Sequence, residues 1–323
     1  MPRTVIVVPC YNEAERLDFA QYLQAVACDP RTDFLFVNDG SRDDTLERLQ
    51  SLAAERPGRI AWCDLPENCG KAEAVRRGVC AALRSRPEYV GFWDADLATP
   101  LDEVPRFRAV LDRRPELQMV IGTRARLLGR RIVRKRSRSL LGRLFAQVAS
   151  RAIGLPLFDT QCGAKLFRAN DETERLFAEP FLSRWIFDVE LFARLVSGRR
   201  ALEPPSLSGR GRGRVEAHSN SSSSDRLVHT SNESTPPSPC PLPQREGSAA
   251  CEAIFELPLE RWHDVAGSKL KTRDFVRAIG ELAAIRWRYF GRSPQPTWTD
   301  RPHPSGARRA LLDPRPREER QAA

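Results

Sequence analysis

Thr4-Val5-Ile6-Val7-Val8-Pro9-Cys10-Tyr11-Asn12-Glu13 decides the fold. Five successive β-branched residues favour extended backbone. With no polar–apolar alternation, they mark a strand buried on both faces, as in a parallel sheet. The run stops at Pro9-Cys10-Tyr11-Asn12-Glu13, and a helix is predicted from near Glu13 to Val26. The same cycle then recurs. Phe34-Leu35-Phe36-Val37 runs into Asn38-Asp39-Gly40-Ser41 and a helix through Leu46, Leu49 and Leu52. Ile60-Ala61-Trp62 leads to Asn68-Cys69-Gly70-Lys71 and a helix from Ala72 to Leu83, and Tyr89-Val90-Gly91-Phe92-Trp93 ends in Asp94-Ala95-Asp96. This β-α-β-α rhythm predicts an α/β fold whose mostly parallel sheet is covered by helices, with ligands gathered beyond the carboxyl ends of its strands. Glu13, Asp39, Lys71, Asp94 and Asp96 all fall at those ends.

Two carboxylates at i and i+2, where a buried strand opens into a loop, face the same way. Asp94 and Asp96 thus offer hard oxygen ligands suited to Mg²⁺ or Mn²⁺, ions commonly shared with a substrate diphosphate. Simpler roles compete at the neighbouring acids: Glu13 and Asp43 suit helix N-termini through the macrodipole, and Asp39 before Gly40 suits a turn. Asp188 and Glu190 lie on the apolar segment Trp185 to Leu195, which is predicted helical. Burial there is costly without a partner, so ion pairing or function is expected of both.

From Arg124 to Arg143 the chain carries Arg124, Arg126, Arg130, Arg131, Arg134, Lys135, Arg136, Arg138 and Arg143 with no acid. Such density repels itself and normally faces an anion. Nucleic acid, acidic lipid headgroups and a phosphorylated acceptor all answer that description.

Val8-Pro9-Cys10-Tyr11-Asn12-Glu13, Asn38-Asp39-Gly40-Ser41-Arg42-Asp43-Asp44-Thr45, Asn68-Cys69-Gly70-Lys71 and Asp94-Ala95-Asp96 resemble the family 2 glycosyltransferases, whose fold is the Rossmann-like GT-A type. Gly122-Thr123-Arg124, Asp159-Thr160-Gln161-Cys162-Gly163-Ala164-Lys165-Leu166-Phe167, Arg184-Trp185-Ile186-Phe187-Asp188-Val189-Glu190-Leu191 and Gly267-Ser268-Lys269-Leu270 narrow the resemblance. They are similar to dolichyl-phosphate β-glucosyltransferases and bacterial polyprenyl-phosphate glycosyltransferases. The resemblance implies an inverting, metal-dependent hexosyltransferase that moves a sugar, glucose above all, from a nucleotide sugar such as UDP-glucose to a polyprenyl phosphate; transfer to a soluble or polysaccharide acceptor is the rival reading within the family. It implies that Pro9, Tyr11, Glu13 and Asp39 hold the base and ribose. Asp94 and Asp96 would hold the Mg²⁺ or Mn²⁺ and diphosphate beside Lys71, and Arg124, Arg134 and Arg138 would bind the acceptor phosphate. Asp159, Lys165 and Asp188 would shape the site around sugar and acceptor, with Asp159, Asp188 and Asp96 its catalytic carboxylates. Lys269 would lie in a segment closing over the acceptor. Mannosyl relatives often carry Gln two positions after the second Asp, where this chain has Ala98, so the metal's third protein ligand stays open. Because a phosphate monoester is already anionic near pH 7, no dedicated base is assigned.

Composition agrees with this placement. A chain of 323 residues, 41% hydrophobic, buries one substantial core, and a net charge of +10 favours an anionic surface or partner. Eight cysteines without CxxC spacing are expected to be reduced thiols. Thr4–Val8 is too short for a secretory leader, and no run reaches the roughly 18 apolar residues of a spanning helix. The expected location is therefore cytoplasmic and peripheral, at the inner face of the membrane. Arg273 to Phe290 is the candidate contact: Phe275, Val276, Ile279, Leu282, Ala283, Trp287 and Phe290 form one predicted apolar stripe, intruded on by Arg286. Packing of that stripe on the core is the competing reading. A dinucleotide-dependent oxidoreductase would need a G-x-G-x-x-G turn after the first strand, which Pro9-Cys10-Tyr11-Asn12 lacks. A nucleic-acid-binding protein would not need carboxylates aligned at strand ends, and no nucleic acid partner is expected.

The catalytic domain is expected to span residues 1–207 and to be completed by 251–290. Between them, residues 208–250 are Gly/Arg-rich and then Ser/Pro-rich, and form an expected disordered insertion. Residues 291–323 form an expected disordered tail.

Overall fold

The structure, a computed structural model, describes residues 3–125, 130–133, 136–202, 252–263 and 272–291. The expected insertion (208–250), the tail beyond residue 291, Arg134 and Lys269 lie outside the described residues.

Strand β1 (Thr4–Cys10) lies between β2 (Thr32–Asp39) and β4 (Tyr89–Trp93), parallel to both. β3 (Ile60–Leu65) pairs parallel with β2 at the edge. On the other side β7 (Ala164–Arg168) runs antiparallel to β4 and to β5 (Met119–Thr123), and β8 (Ile254–Pro258) follows parallel to β5. The order is β3-β2-β1-β4-β7-β5-β8, with a separate parallel pair of β6 (Arg131–Val133) and β9 (Arg261–His263). This is the expected α/β architecture of a mostly parallel, helix-covered sheet.

The unbroken apolar strands serve two cores, because successive side chains leave opposite faces. Val5, Val7, Leu35, Val37, Val90 and Phe92 join one cluster, which includes side chains of α3 (Lys71–Leu83), α5 (Arg136–Ile153), α6 (Asp171–Ala178), α7 (Phe187–Leu202) and α8 (Thr272–Phe290). Ile6, Val8, Phe34, Phe36, Tyr89 and Trp93 join the other, with α1 (Phe19–Cys28), α2 (Thr45–Glu55) and α4 (Val104–Arg113). Each large apolar side chain so buried contributes about 1.5–3 kcal/mol. In α3, Gly78 lets the helix settle on the sheet: a Cβ there would come within 2.8 Å of Val37 Cγ2 and closer still to Val7.

Two helices differ from expectation. α1 begins at Phe19, capped by Asp18, and not near Glu13. The Glu13 amide donates to Thr45 Oγ1 (2.9 Å) and that of Ala14 to Asp43 Oδ2 (3.2 Å), so tertiary bonds hold this stretch out of the helix. In α8 the predicted single stripe is split. Ala278, Leu282 and Ile285 face the core, whereas Ile279 and Trp287 are 49% and 80% exposed. The helix is rotated so that Arg286 donates to the Ala152 carbonyl (2.6 Å) near the end of α5. Phe275 and Val276 lie on α8, with side chains outside the described residues. No helix of the described residues is long and apolar enough to cross a membrane.

Candidate active site

Parallel pairing places the carboxyl ends of β1, β2, β3 and β4 along one edge of the sheet. β7, running the other way, starts at that edge, with Ala164 opposite Trp93. The loop 159–163 before β7 is thereby delivered beside Asp94.

The carboxylate pair sits where the sequence put it. The Asp94 amide donates to the Gly163 carbonyl (3.1 Å), and Asp96 Oδ1 accepts from the Ala98 amide (3.0 Å) across Leu97, whose φ is +52°. Lys71, first residue of α3, reaches over to Asp94 with Nζ 2.5 Å from Oδ1. Burial, then the neighbouring Asp94 charge, raises the Asp96 carboxyl above its ordinary value. Burial likewise raises Glu13, which also feels Asp96; its Oε1 pairs with Arg16 (2.6 Å), and its Oε2 is buried without a hydrogen-bond partner. Asp94 and Asp96 thus stand beside the single Lys71 ammonium, with Glu13 and its partner Arg16 behind them, and a divalent cation would suit the excess negative charge of the pair. Among the described residues no third His, Cys, Asp or Glu joins Asp94 and Asp96 in a metal cage. Asp94 and Asp96 would hold such a cation through two carboxylates only, which would leave positions for water and ligand oxygens, as is usual for Mg²⁺ in phosphate sites.

Asp39, at the end of β2, is committed to its neighbours. Its carboxylate accepts from the Cys69 amide (2.8 Å), the Gly70 amide (2.9 Å) and Asn68 Nδ2 (3.0 Å). Burial nonetheless raises its carboxyl above the ordinary value. It shapes the 68–70 turn and retains limited capacity for a ligand. Pro9 is in β1, and Tyr11 stands 41% exposed at its end, free to offer a ring face. Asp43 laces the β1 and β2 loops together by accepting from Thr45 Oγ1 (2.5 Å) as well as from Ala14.

Two residues given separate tasks on sequence prove to be partners. Arg124 holds Asp159 bidentately (Nε–Oδ2 2.6 Å, Nη2–Oδ1 2.7 Å) and lies over the Trp262 ring. One edge of the guanidinium is therefore spent on Asp159. Glu256 on β8, which the sequence analysis missed, fixes this pair by accepting from the amides of Phe158 (2.9 Å) and Asp159 (3.0 Å). A lone acid within Ile254-Phe255-Glu256-Leu257 was its only sequence signal.

Lys165 and Asp188 are likewise a pair, Nζ–Oδ1 2.6 Å, both buried. The Lys165 ammonium also donates to the carbonyls of Cys162 (2.6 Å) and Thr160 (3.4 Å), and is wholly enclosed. Lys165 thereby organises the 159–163 loop, its donors facing the protein. Glu190 is paired with Arg194 (2.9 Å) in the interior. Arg138 lies on α5, its side chain outside the described residues.

Gly163, quoted within a motif but given no role, is where loop and carboxylate meet. A Cβ there would overlap the Asp94 carboxylate. Gly163→Ala is expected to push that flexible side chain aside, lowering transferase activity about a hundredfold while the melting temperature moves by under about 2 °C. A matching collapse of both would assign Gly163 to stability.

A helix-covered mixed sheet with an acidic pair, an opposing lysine and ordered loops at its carboxyl edge defines a GT-A-type transferase. A model of glycosyl transferase family 2 matches residues 5–173, over half of the chain, and the chain belongs to that family. It is 34% identical over 200 residues to a dolichyl-phosphate beta-glucosyltransferase of Trichomonas vaginalis, covering 58% of each chain. It is 31% identical over 200 residues to the dolichyl-phosphate beta-glucosyltransferase of Drosophila melanogaster, covering 58% of this chain and 60% of that one. An undecaprenyl-phosphate 4-deoxy-4-formamido-L-arabinose transferase of Enterobacter is 30% identical over 166 residues, covering 50% and 48%. The match spans about three fifths of the length of the dolichyl relatives. The fold is shared with glucosyl-3-phosphoglycerate synthase from Mycobacterium tuberculosis, solved with Mn²⁺ and UDP-glucose. That structure has a TM-score of 0.54 at 16% identity, covering 91% of this chain and 82% of that one.

Proposed function

We propose that this glycosyltransferase moves glucose from UDP-glucose to a polyprenyl phosphate by direct displacement with inversion, using Mg²⁺ or Mn²⁺. The observation that carries the reading is the grouping of Asp94, Asp96 and Lys71 at the carboxyl edge of the sheet, joined to the dolichyl- and undecaprenyl-phosphate specificities in the relatives' names.

Asp94 and Asp96 would hold the cation, which when bound supplies positive charge to the departing diphosphate. Lys71 is placed to share that anion. Pro9, Tyr11, Glu13 and Asp39 border the base and ribose. The Arg124–Asp159 unit, steadied by Glu256, presents a fixed guanidinium edge toward the acceptor phosphate, with Arg134, Arg138 and Lys269 as its further ligands. The acceptor is an anion at neutral pH, so these residues orient and neutralise it without having to remove a proton. Lipid delivery fits peripheral contact with the cytoplasmic leaflet through the exposed Ile279 and Trp287 of α8.

The test is incubation of purified protein with Mn²⁺ or Mg²⁺, radiolabelled UDP-glucose and polyprenyl phosphate, followed by counting of the organic phase. Lipid-phase label that EDTA abolishes is expected. Label that stays aqueous while UDP-glucose binds would overturn the acceptor or the sugar, and EDTA-resistant transfer would overturn the metal.

A further inference from the structure

We infer that Arg184 is a donor-site residue that binds the diphosphate of the nucleotide sugar alongside Lys71. The inference rests on the nucleotide-sugar reading above. Arg184 belongs to the connection between α6 and α7, yet its Nη2 donates to the Asn68 carbonyl and to Asn68 Oδ1, 3.2 Å each. It covers Gly70, where φ is +91° and a Cβ would lie 2.8 Å from Arg184 Nε and 3.2 Å from Nη2. The guanidinium thus rests on the backbone joining the Asp39-bound turn to Lys71, between the carboxylate assigned to the nucleoside and the cation assigned to the diphosphate.

Its charge is felt by the Asp39 carboxyl but is not neutralised by an ion pair among the described residues. Both Asn68 acceptors are neutral, and among the described residues no ion pair engages Arg184, whereas Arg76, Arg77, Arg124 and Arg194 each have a carboxylate. A guanidinium fork matches phosphate oxygens bidentately, and the N-terminus of α3 adds partial positive charge beside it.

Its position is specified from behind. Buried Glu190 accepts from the amides of Leu182 (2.7 Å) and Ser183 (3.4 Å), and is itself held by Arg194 (2.9 Å) and Tyr289 (2.9 Å). Ser183 Oγ accepts from the amides of Trp185 (3.1 Å) and Ile186 (2.7 Å) and donates to Glu281 (2.5 Å) on α8. A buried ion pair costs desolvation, and this one directs its remaining bonds at the segment carrying Arg184. The result is a preorganised cation, which loses little freedom when it binds an anion.

The test titrates UDP and uridine into the wild type, Arg184→Ala and Arg184→Lys with Mn²⁺ present, then decyl phosphate into each UDP-saturated protein. Arg184→Ala is expected to weaken UDP at least about tenfold while leaving uridine unchanged, with Arg184→Lys recovering part of the loss. Equal weakening of uridine and UDP would make Arg184 a clamp on the 68–70 turn and overturn the inference. So would unchanged UDP binding, and so would a defect confined to decyl phosphate, which would move Arg184 to the acceptor. Wild-type protein that binds neither uridine nor UDP would remove the donor reading itself, and this inference with it.

Discussion

Asp96→Ala is expected to lower metal-dependent transfer by about a thousandfold, the equivalent of roughly 4 kcal/mol of transition-state stabilisation. The carboxylate is held by the Ala98 amide across a left-handed Leu97 and stands beside Asp94. Both burial and that neighbour disfavour its charge in the protein alone and hold the carboxyl above its ordinary value. Deleting it removes a like-charge contact, so the variant should melt no lower than the wild type. The expected pattern is therefore lost turnover and lost Mn²⁺ binding in a fully folded protein. Transfer rates and Mn²⁺ paramagnetic resonance with UDP present measure the two. Activity within tenfold of wild type would remove Asp96 from the metal site.

Lys165→Met is expected to destabilise the protein by about 3–5 kcal/mol, because it leaves Asp188 buried without its ammonium. That corresponds to a fall in melting temperature on the order of 10 °C. Activity should fall as well, since the Lys165 ammonium ties down the Thr160 and Cys162 carbonyls and the next residue, Gly163, sets Asp94. The double variant Lys165→Met/Asp188→Leu separates the two effects. Replacing a buried pair with apolar side chains is often neutral for stability, so melting should recover while activity stays low. Recovery of both would reduce the pair to a structural role, and a single variant as stable as wild type would contradict its burial.

These effects were unequally legible beforehand. Asp94 and Asp96 could be placed because a β-branched or aromatic run ends abruptly before them, and the end of a buried strand is a local property. The start of α1 was misplaced because Thr45 and Asp43 take the Glu13 and Ala14 amides, bonds that local propensity does not contain. In α8 the apolar residues outnumber those one face can bury. Contact with α5 and α7 chose Ala278, Leu282 and Ile285 and left Trp287 outside.

The sequence by itself determined the strand–helix alternation, the edge at which charged residues collect, and the family those motifs resemble. These depend on periodicity and on residue types only a few positions apart. Tertiary structure alone decided who partners whom: Arg124 with Asp159, Lys165 with Asp188, Glu256 beneath Asp159, and Arg184 over Gly70. Charges choose partners by distance in space, and the antiparallel return of β7 and the packing of α7 bring together groups from distant parts of the chain. A carboxylate that sequence assigns to a substrate can therefore be satisfied by the protein, while Arg184 has no ion-pair partner among the described residues.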